Sequence, residues 1–564
     1  MLDLVVRGGV VYDGSGAAPY AADVGIRGGR IVQLGSDIDV ARRTIDVDGL
    51  AVAPGFIDNH THFDAQLLWD PLATSSCYHG ITTVITGNCG LSLAPCRPDT
   101  RDALVSTFVR AEAISRNVLE AGIDWSWEST GEYLRAFEGR LGVNMGALIG
   151  HCAVRHAVMG EDAVERQATS DEIVAMAQLV RDGMLAGAVG FSTQNNPRHM
   201  REDGKPMASS LADHAELDAL LDVLGDLNCG VIQNIQEFSP DKDAVGRVAY
   251  LTDVAKRTGR PVLWQGMVHR WQTGDAWREL LAATTEAVRD GGAAIYPVTQ
   301  AKPIEQRFTL TNAQCFDEFP TWRTMSLVPA DQREQFLRDP AVRAKLRWEA
   351  IDDPAPSHFG KRWDLVWVYR AATEANRALD GLSITELAEK QGKDLLDAFL
   401  DLALEEGLET TYHRFATQGD PAAVAEMLKS PYVVVGQSDA GAHMAFDAKF
   451  GFSSTFLGTW VRDRELMPLE VGVRKLTFDI ATIFGFADRG LLGVGYAADI
   501  AVFDPARINA AEPEWATDLP AGERRLIQRA EGVHHTIVNG VPIVEHGAAV
   551  VDARPGRVLR PASE

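Results

Sequence analysis

Pro54-Gly55-Phe56-Ile57-Asp58-Asn59-His60-Thr61-His62-Phe63-Asp64 is the stretch on which the reading of this chain turns. Residues i and i+2 of a strand face the same side, so His60 and His62 present two imidazoles side by side at the strand's C-terminal end. Two neutral imidazoles suit zinc and its neighbours. A His-x-His pair standing alone also describes two polar strand residues facing solvent. The apolar run and the glycine ahead of this one instead place it at the end of a barrel strand, where active sites gather.

Seven more short apolar runs follow, separated by helical stretches such as Thr169 to Leu185 and His214 to Leu227. They are Ile81 to Ile85, Met145 to Ile149, Ala188 to Phe191, Gly230 to Ile232, Pro261 to Trp264, Ala293 to Tyr296 and Tyr432 to Val435. Eight β–α units over about 430 residues predict an α/β fold of the (β/α)8 TIM-barrel type, spanning 55–489. The longest gap, Tyr296 to Tyr432, reads as a loop-and-helix insertion around 300–430 over one face. Its stretch from Ser383 to Glu406 opens Ser383-Ile384-Thr385-Glu386 in the manner of a capped helix.

The two ends are written differently. The first fifty residues alternate β-rich runs with glycine turns, and the far end carries Ile500 to Phe503, His535 to Val538 and Val541 to Val544. Asn539-Gly540 between the last two runs is a strong hairpin signal, because both residues tolerate positive φ. We read 1–54 and 490–564 as halves of one discontinuous domain.

Composition bounds the partners. The 564 residues carry a formal charge of −24, with 78 acidic against 54 basic side chains, which opposes binding to phosphate backbones. No nucleic acid and no membrane are expected, since no apolar run reaches the roughly 18 residues that cross a bilayer. With no secretory signal visible at the N-terminus, a cytoplasmic location is the expectation. Six thinly spread cysteines (Cys77, Cys89, Cys96, Cys152, Cys229 and Cys315) suit reduced thiols, so a special one is to be sought as a ligand or nucleophile.

Two further stretches carry chemistry. Thr86-Gly87-Asn88-Cys89-Gly90 follows the second strand, and its glycines let backbone approach closely while Cys89 offers a thiolate; a small buried thiol is the bland alternative. Val435-Gly436-Gln437-Ser438-Asp439-Ala440-Gly441-Ala442-His443 follows the eighth strand, where Asp439 can face the same metal and take a proton from water. A helix N-cap is the alternative for Ser438-Asp439.

Together these stretches resemble the amidohydrolase superfamily and, within it, the N-acyl-D-amino-acid deacylase (D-aminoacylase) group. Val6-Arg7-Gly8-Gly9 with Asp13-Gly14, and Gly490-Leu491-Leu492-Gly493-Val494-Gly495-Tyr496-Ala497-Ala498-Asp499-Ile500, extend the resemblance nearly end to end. Gly87-Asn88-Cys89-Gly90 is its most group-specific element. The resemblance implies a TIM barrel flanked by a small β-sandwich made from both termini, with metal at the barrel's C-terminal face. By motif position it makes His60, His62, Cys89 and Asp439 the metal ligands, with Asp439 also the catalytic carboxylate. His151 and Arg155, in Gly150-His151-Cys152-Ala153-Val154-Arg155, resemble a segment near the pocket. His269, Arg270 and Arg198 are candidates on charge for holding a substrate carboxylate.

The chain also departs from the group. Histidines are expected after the fifth and sixth strands, yet these regions read Val231-Ile232-Gln233-Asn234-Ile235-Gln236-Glu237 and Leu263-Trp264-Gln265-Gly266-Met267-Val268-His269. Gly190-Phe191-Ser192-Thr193 offers no lysine to be carboxylated. One zinc ion is therefore expected rather than two. The implied activity is hydrolysis of C–N bonds in N-acyl amino acids or related amides, with Asp439 as general base toward a water. A cyclic amide, urea or carbamate substrate uses the same parts, and a non-catalytic binding barrel is the reading from a different class. The expected partner is a small-molecule substrate, and a homo-oligomer is left open. Trp264, Trp271, Trp322, Trp348, Trp363 and Trp367 either line a pocket or pack a core.

Overall fold

Eight parallel strands lie in chain order in one sheet: β1 (Phe56–Asp58), β2 (Ile81–Thr86), β3 (Asn144–Gly150), β4 (Gly190–Gln194), β5 (Val231–Ile235), β6 (Val262–Gln265), β7 (Ile295–Thr299) and β8 (Val434–Val435). The structure, a computed structural model, describes residues 1–561 except 197–198, 236–243, 356 and 445–447. Each strand overlaps one of the apolar runs, several continuing past it into polar residues as Gly190–Gln194 and Val231–Ile235 do, because strands covered on both faces need apolar side chains on both. The sheet is curled. Just past its two edge strands, Thr61 and Ala440 form a parallel bridge, and the His62 amide donates to the Ala440 carbonyl at 2.7 Å.

Ile57, Ile85, Leu148, Val189, Val231, Leu263, Val298 and Val434, one from or beside each strand, pack in one cluster with Ile480, Phe484 and Phe486. The other face is covered by connecting helices, including α1 (Arg101–Ala111) after β2 and α2 (Ser170–Ala186) after β3. Thr169 and Glu172 close a capping box at the start of α2, and Gly187 ends it in the left-handed region.

The insertion contains a sheet that its sequence did not announce. Ile304–Phe308, Thr411–Thr417 and Val366–Arg370 form three antiparallel strands with Thr411–Thr417 in the middle. Polar residues interrupt two of these strands, as Glu305-Gln306-Arg307 and His413-Arg414 do, while the short run Val366-Trp367-Val368-Tyr369 stood unread within the long gap. The insertion has its own core, in which Trp322 and Trp363 pack with Phe316, Phe399 and Tyr412. Those two tryptophans are core residues.

The chain ends meet. Ala51–Pro54 pairs antiparallel with Ile500–Phe503 inside a seven-stranded sheet that draws strands from both termini. A four-stranded sheet from the first 46 residues shares its apolar core, including Val6, Ile26, Ile31, Val502 and Ile537. All six cysteines are free thiols, and among the described residues no helix is long and apolar enough to cross a membrane.

Asp499 ties the terminal sheet to the start of β3. It pairs with Arg489, accepts from Asn144 Nδ2 at 2.9 Å and accepts from the Asn539 amide at 2.7 Å. All four residues are buried. Asp499→Ala leaves the buried Arg489 guanidinium with Asp488, at 3.6 Å, as its remaining carboxylate and is expected to lower stability by about 3–5 kcal/mol. Removing the exposed Arg30–Asp488 pair is expected to cost less than about 1 kcal/mol. Urea denaturation midpoints check both, and equal effects would contradict the assignment.

Candidate metal centre

His60 and His62 sit just past β1 with buried rings, and Thr61 between them faces the other way, its Oγ1 donating to the Ile85 carbonyl at 2.7 Å. The strand alternation anticipated from the sequence therefore operates here. Cys89 comes from the turn after β2. Gly87 has φ 77°, and a Cβ on it would lie 2.1 Å from the Leu148 carbonyl oxygen, so only glycine fits. Asn88 donates to the carbonyls of Thr61 (3.1 Å) and Ile85 (2.8 Å), fastening the turn to the histidine strand.

The turn places Cys89 Sγ 3.3 Å from His60 Nε2 and 3.5 Å from His62 Nε2. Among the described residues, His60, His62 and Cys89 are the one group of potential ligand atoms all within 4.8 Å of one another. Asp439 arrives from beyond β8, its Oδ1 3.1 Å from His60 Nε2. The four residues singled out in the sequence come together from three strand ends.

The fifth and sixth strands contribute amides where the resemblance implied histidines. Gln265 Nε2 is bonded to His60 Nδ1, Gln233 Nε2 donates to Gln265 Oε1 at 2.9 Å, and the Cys89 amide donates to Gln233 Oε1 at 3.1 Å. This relay fixes the His60 ring so that Nε2 faces Cys89 and Asp439, and ligation through Nε2 requires the Gln265 amide turned so that its oxygen accepts from Nδ1–H. No sequence signal identified the two glutamines beyond their positions at strand ends.

Glu112 and Lys449 were not legible beforehand. Glu112, at the end of α1, is 2% exposed and holds Oε2 3.5 Å from His62 Nε2 and 3.6 Å from His443 Nε2. Lys449 Nζ lies 2.7 Å from Asp439 Oδ2. Burial would raise the Asp439 carboxyl, but Lys449 and then the His60 contact override it and hold the group well below its usual range. Burial, and then His60, push His62 well below its ordinary value, so its imidazole is neutral. Burial, and then Glu112 and Asp439, push the Cys89 thiol well above its ordinary value, and burial with Asp439 does the same to Glu112. Buried donors that raise one another in this way are a setting that a cation relieves.

A cavity of about 190 Å³ opens onto Asp439, His443 and Lys449, with Arg110, Arg270 and Arg414 also in its wall. Of the residues proposed from sequence to meet substrate, Arg270 lines it. His269 is instead tied by its backbone to Gln418 and packs edge-on against Trp271 at 5.0 Å. His151 and Arg155 are fully buried on Glu216: His151 Nε2 lies 2.7 Å from Oε1, and Arg155 Nη1 donates to Oε2. Arg198 lies outside the described residues.

Known proteins resemble this chain along almost its whole length. A family model described as "Amidohydrolase family" matches residues 43–544. An N-acyl-D-aspartate deacylase of Alcaligenes xylosoxydans xylosoxydans is 30% identical, over 99% of this chain and 95% of that protein. A D-aminoacylase structure, described as having a binuclear metal centre with one-metal activation and second-metal attenuation, superposes with a TM-score of 0.68 at 26% identity, covering 99% of this chain and 100% of that one. The N-acyl-D-glutamate deacylase of Bordetella bronchiseptica, complexed with zinc and a phosphonate that mimics the tetrahedral intermediate, superposes with a TM-score of 0.67 at 25% identity, covering 99% of each chain.

The Glu216 cluster generates a stability prediction. Glu216→Ala leaves Arg155 buried without its carboxylate and is expected to destabilise the fold by about 3–5 kcal/mol, read from denaturation midpoints. A change below about 1 kcal/mol would show that the cluster is not holding the helix after β4 in place.

Proposed function

Since the chain belongs to the amidohydrolase family, as a metal-dependent hydrolase of carbon–nitrogen bonds other than peptide bonds, we propose that it deacylates N-acyl amino acids at the His60, His62, Cys89 and Asp439 site. The observation that carries this reading is the convergence of a His-x-His pair and a buried thiol with an ionised aspartate that itself lines a cavity. The relatives named as deacylases of N-acyl-D-aspartate and N-acyl-D-glutamate support the substrate class.

The donor set fits zinc. Ligand bonds of about 2.0–2.1 Å to nitrogen and 2.3 Å to sulfur put tetrahedral ligand atoms roughly 3.3–3.6 Å apart. The Cys89 contacts at 3.3 and 3.5 Å are of that size. We assign one ion, to His60, His62, Cys89 and Asp439, because β5 carries Gln233 and β6 ends in Gln265, and amides are poorer zinc donors than imidazoles. When bound, the ion supplies Lewis acidity that polarises the scissile carbonyl and brings the pKa of a water toward 7.

The remaining work falls to the chain. Lys449 keeps Asp439 ionised, so the carboxylate accepts a proton from the attacking water as the oxygen adds to the acyl carbon. Asp439 then passes that proton to the nitrogen while the C–N bond breaks, leaving a carboxylic acid and an amine. An amine leaves poorly unless protonated, so one group moving one proton serves both halves of the reaction.

We further read the curled sheet, sewn at Thr61 and Ala440, as a TIM barrel over 55–489 with its insertion around 300–430. The paired terminal sheets read as a β-sandwich formed by 1–54 and 490–564.

Asp439→Asn is expected to lower amine release from N-acetyl amino acids by about 10²–10⁴-fold while bound zinc, measured by elemental analysis, stays near the wild-type level. His60→Ala combined with His62→Ala is expected to abolish zinc binding. Wild-type turnover by a zinc-loaded Asp439→Asn protein would sink the general-base assignment.

A further inference from the structure

Two of the tryptophans singled out in the sequence do not pack a core. Trp322 and Trp363 are buried among the insertion's apolar side chains, whereas Trp271 is 38% exposed and Trp367 is half-buried. Together with Trp460 they line a cavity of about 500 Å³, which shares no lining residue with the cavity beside Asp439. Leu365, Pro421 and Val424 add apolar wall. A space of this size accepts a small organic molecule, and indoles left partly wet around a concavity mark a binding groove.

The chain crosses between the two cavities at a fixed seam. Gln418 is 2% exposed; its Nε2 donates to Thr299 Oγ1 and to the Gln300 carbonyl, both at 3.0 Å, and its Oε1 accepts from the His269 amide at 2.9 Å. The Gln418 amide returns to the His269 carbonyl, also at 2.9 Å. Chain neighbours therefore serve different spaces. Arg270 and Thr417 line the cavity of Asp439, while Trp271 and Gln418 line the larger one.

The charges in the larger wall are of one sign. Lys302 and Arg464 are the ionisable residues among its lining, and no carboxylate lines it. Lys302 Nζ donates to the neutral Ala448 carbonyl at 3.1 Å; Glu305, which also acts on Lys302, lines a different cavity and stands 3.6 Å from His413. The Arg464 guanidinium carbon lies 4.7 Å from the centroid of the Trp460 ring, and that indole is itself fixed, its Nε1 donating to the Ala301 carbonyl at 2.7 Å. A set of indoles also suits a quaternary ammonium, but two cations in the wall repel one. We propose that this cavity is a second binding site, apart from the metal centre, for an aromatic carboxylate, with its flat ring among Trp271, Trp367 and Trp460 and its charge toward Arg464. The proposal is independent of the deacylase reading, because none of His60, His62, Cys89 and Asp439 lines the cavity.

The test is calorimetric titration of zinc-loaded full-length protein with 2-naphthylacetate, its carboxamide and 2-naphthylethylamine, probes that share a ring system and differ in charge. The acid is expected to bind at least about tenfold tighter than the carboxamide, and the amine weakest. Thr459→Phe fills the cavity from a half-buried position and is expected to weaken the acid at least about tenfold. Trp367→Ser replaces it, with the same expectation, if that variant does not fold. Arg464→Glu, at an exposed position, is expected to bring acid and carboxamide to near-equal affinity. No binding of the acid, or equal affinity for acid and carboxamide in wild type, overturns the proposal. So does an undiminished acid preference in Arg464→Glu. An affinity for the acid that the folded cavity variant leaves unchanged also overturns it, by placing the probe elsewhere on the protein.

Discussion

The seam between the ends of the first and eighth strands is the constraint on which the site depends. Ser438 Oγ donates to Asp58 Oδ2 at 2.5 Å across a separation of 380 residues, Asn59 Nδ2 donates to the Val435 carbonyl at 3.1 Å, and the Asp439 amide donates to the His60 carbonyl at 3.2 Å. A Cβ on Gly436 would lie 2.2 Å from Asn59 Nδ2, so the seam closes only because that position is glycine. Through it, the strand that carries the histidine pair and the loop that carries the carboxylate become neighbours. Thr61, which lies in the seam, also receives Asn88, so the Cys89 turn is positioned by the same joint.

The residues brought together this way are not conformationally relaxed. Cys89, Asp439 and His443 have φ of 58°, 49° and 56°, in the left-handed region that costs a non-glycine residue about 1–3 kcal/mol. Each of them donates its backbone N–H to a different part of the site: Cys89 to Gln233 Oε1, Asp439 to the His60 carbonyl and His443 to the Glu112 carbonyl. The strained turns and the bonds that hold them are one construction. It aims three side chains inward from loops that would otherwise point them along the chain, and it explains why the surroundings of the site are polar yet buried.

Legibility in the sequence followed the physics of burial. The eight parallel strands of the curled sheet could be read because each is covered on both faces and therefore overlaps an apolar run. His60, His62, Cys89 and Asp439 could be found because each sits at a fixed offset from such a run. Glu112, Lys449 and Arg414 could not, since they reach the metal centre or its cavity from a helix end, from a loop and from a strand that polar residues interrupt. Gln233 and Gln265 were visible only as departures from the resemblance, and their part in orienting His60 and Cys89 emerges from contacts between strands that no local pattern encodes. His151 and Arg155 show the converse hazard, because a buried ion cluster that braces a helix uses the same residue types as a binding site.

The overall charge of −24 also misleads if it is carried inward. Arg110, Arg270, Arg414 and Lys449 stand in the wall of the cavity against Asp317, Glu318 and Asp439, so the pocket is not a sample of the acidic surface. Asp317 and Asp439 each face a cation of their own, and the Glu318 carboxylate is occupied by the amides of His358 and Phe359. Asp317 and Asp439 are thus offset locally, while Glu318 keeps a charge that acts on Arg414 across the wall. The acidic surface is therefore no guide to the sign inside the pocket, where four basic side chains stand among three carboxylates.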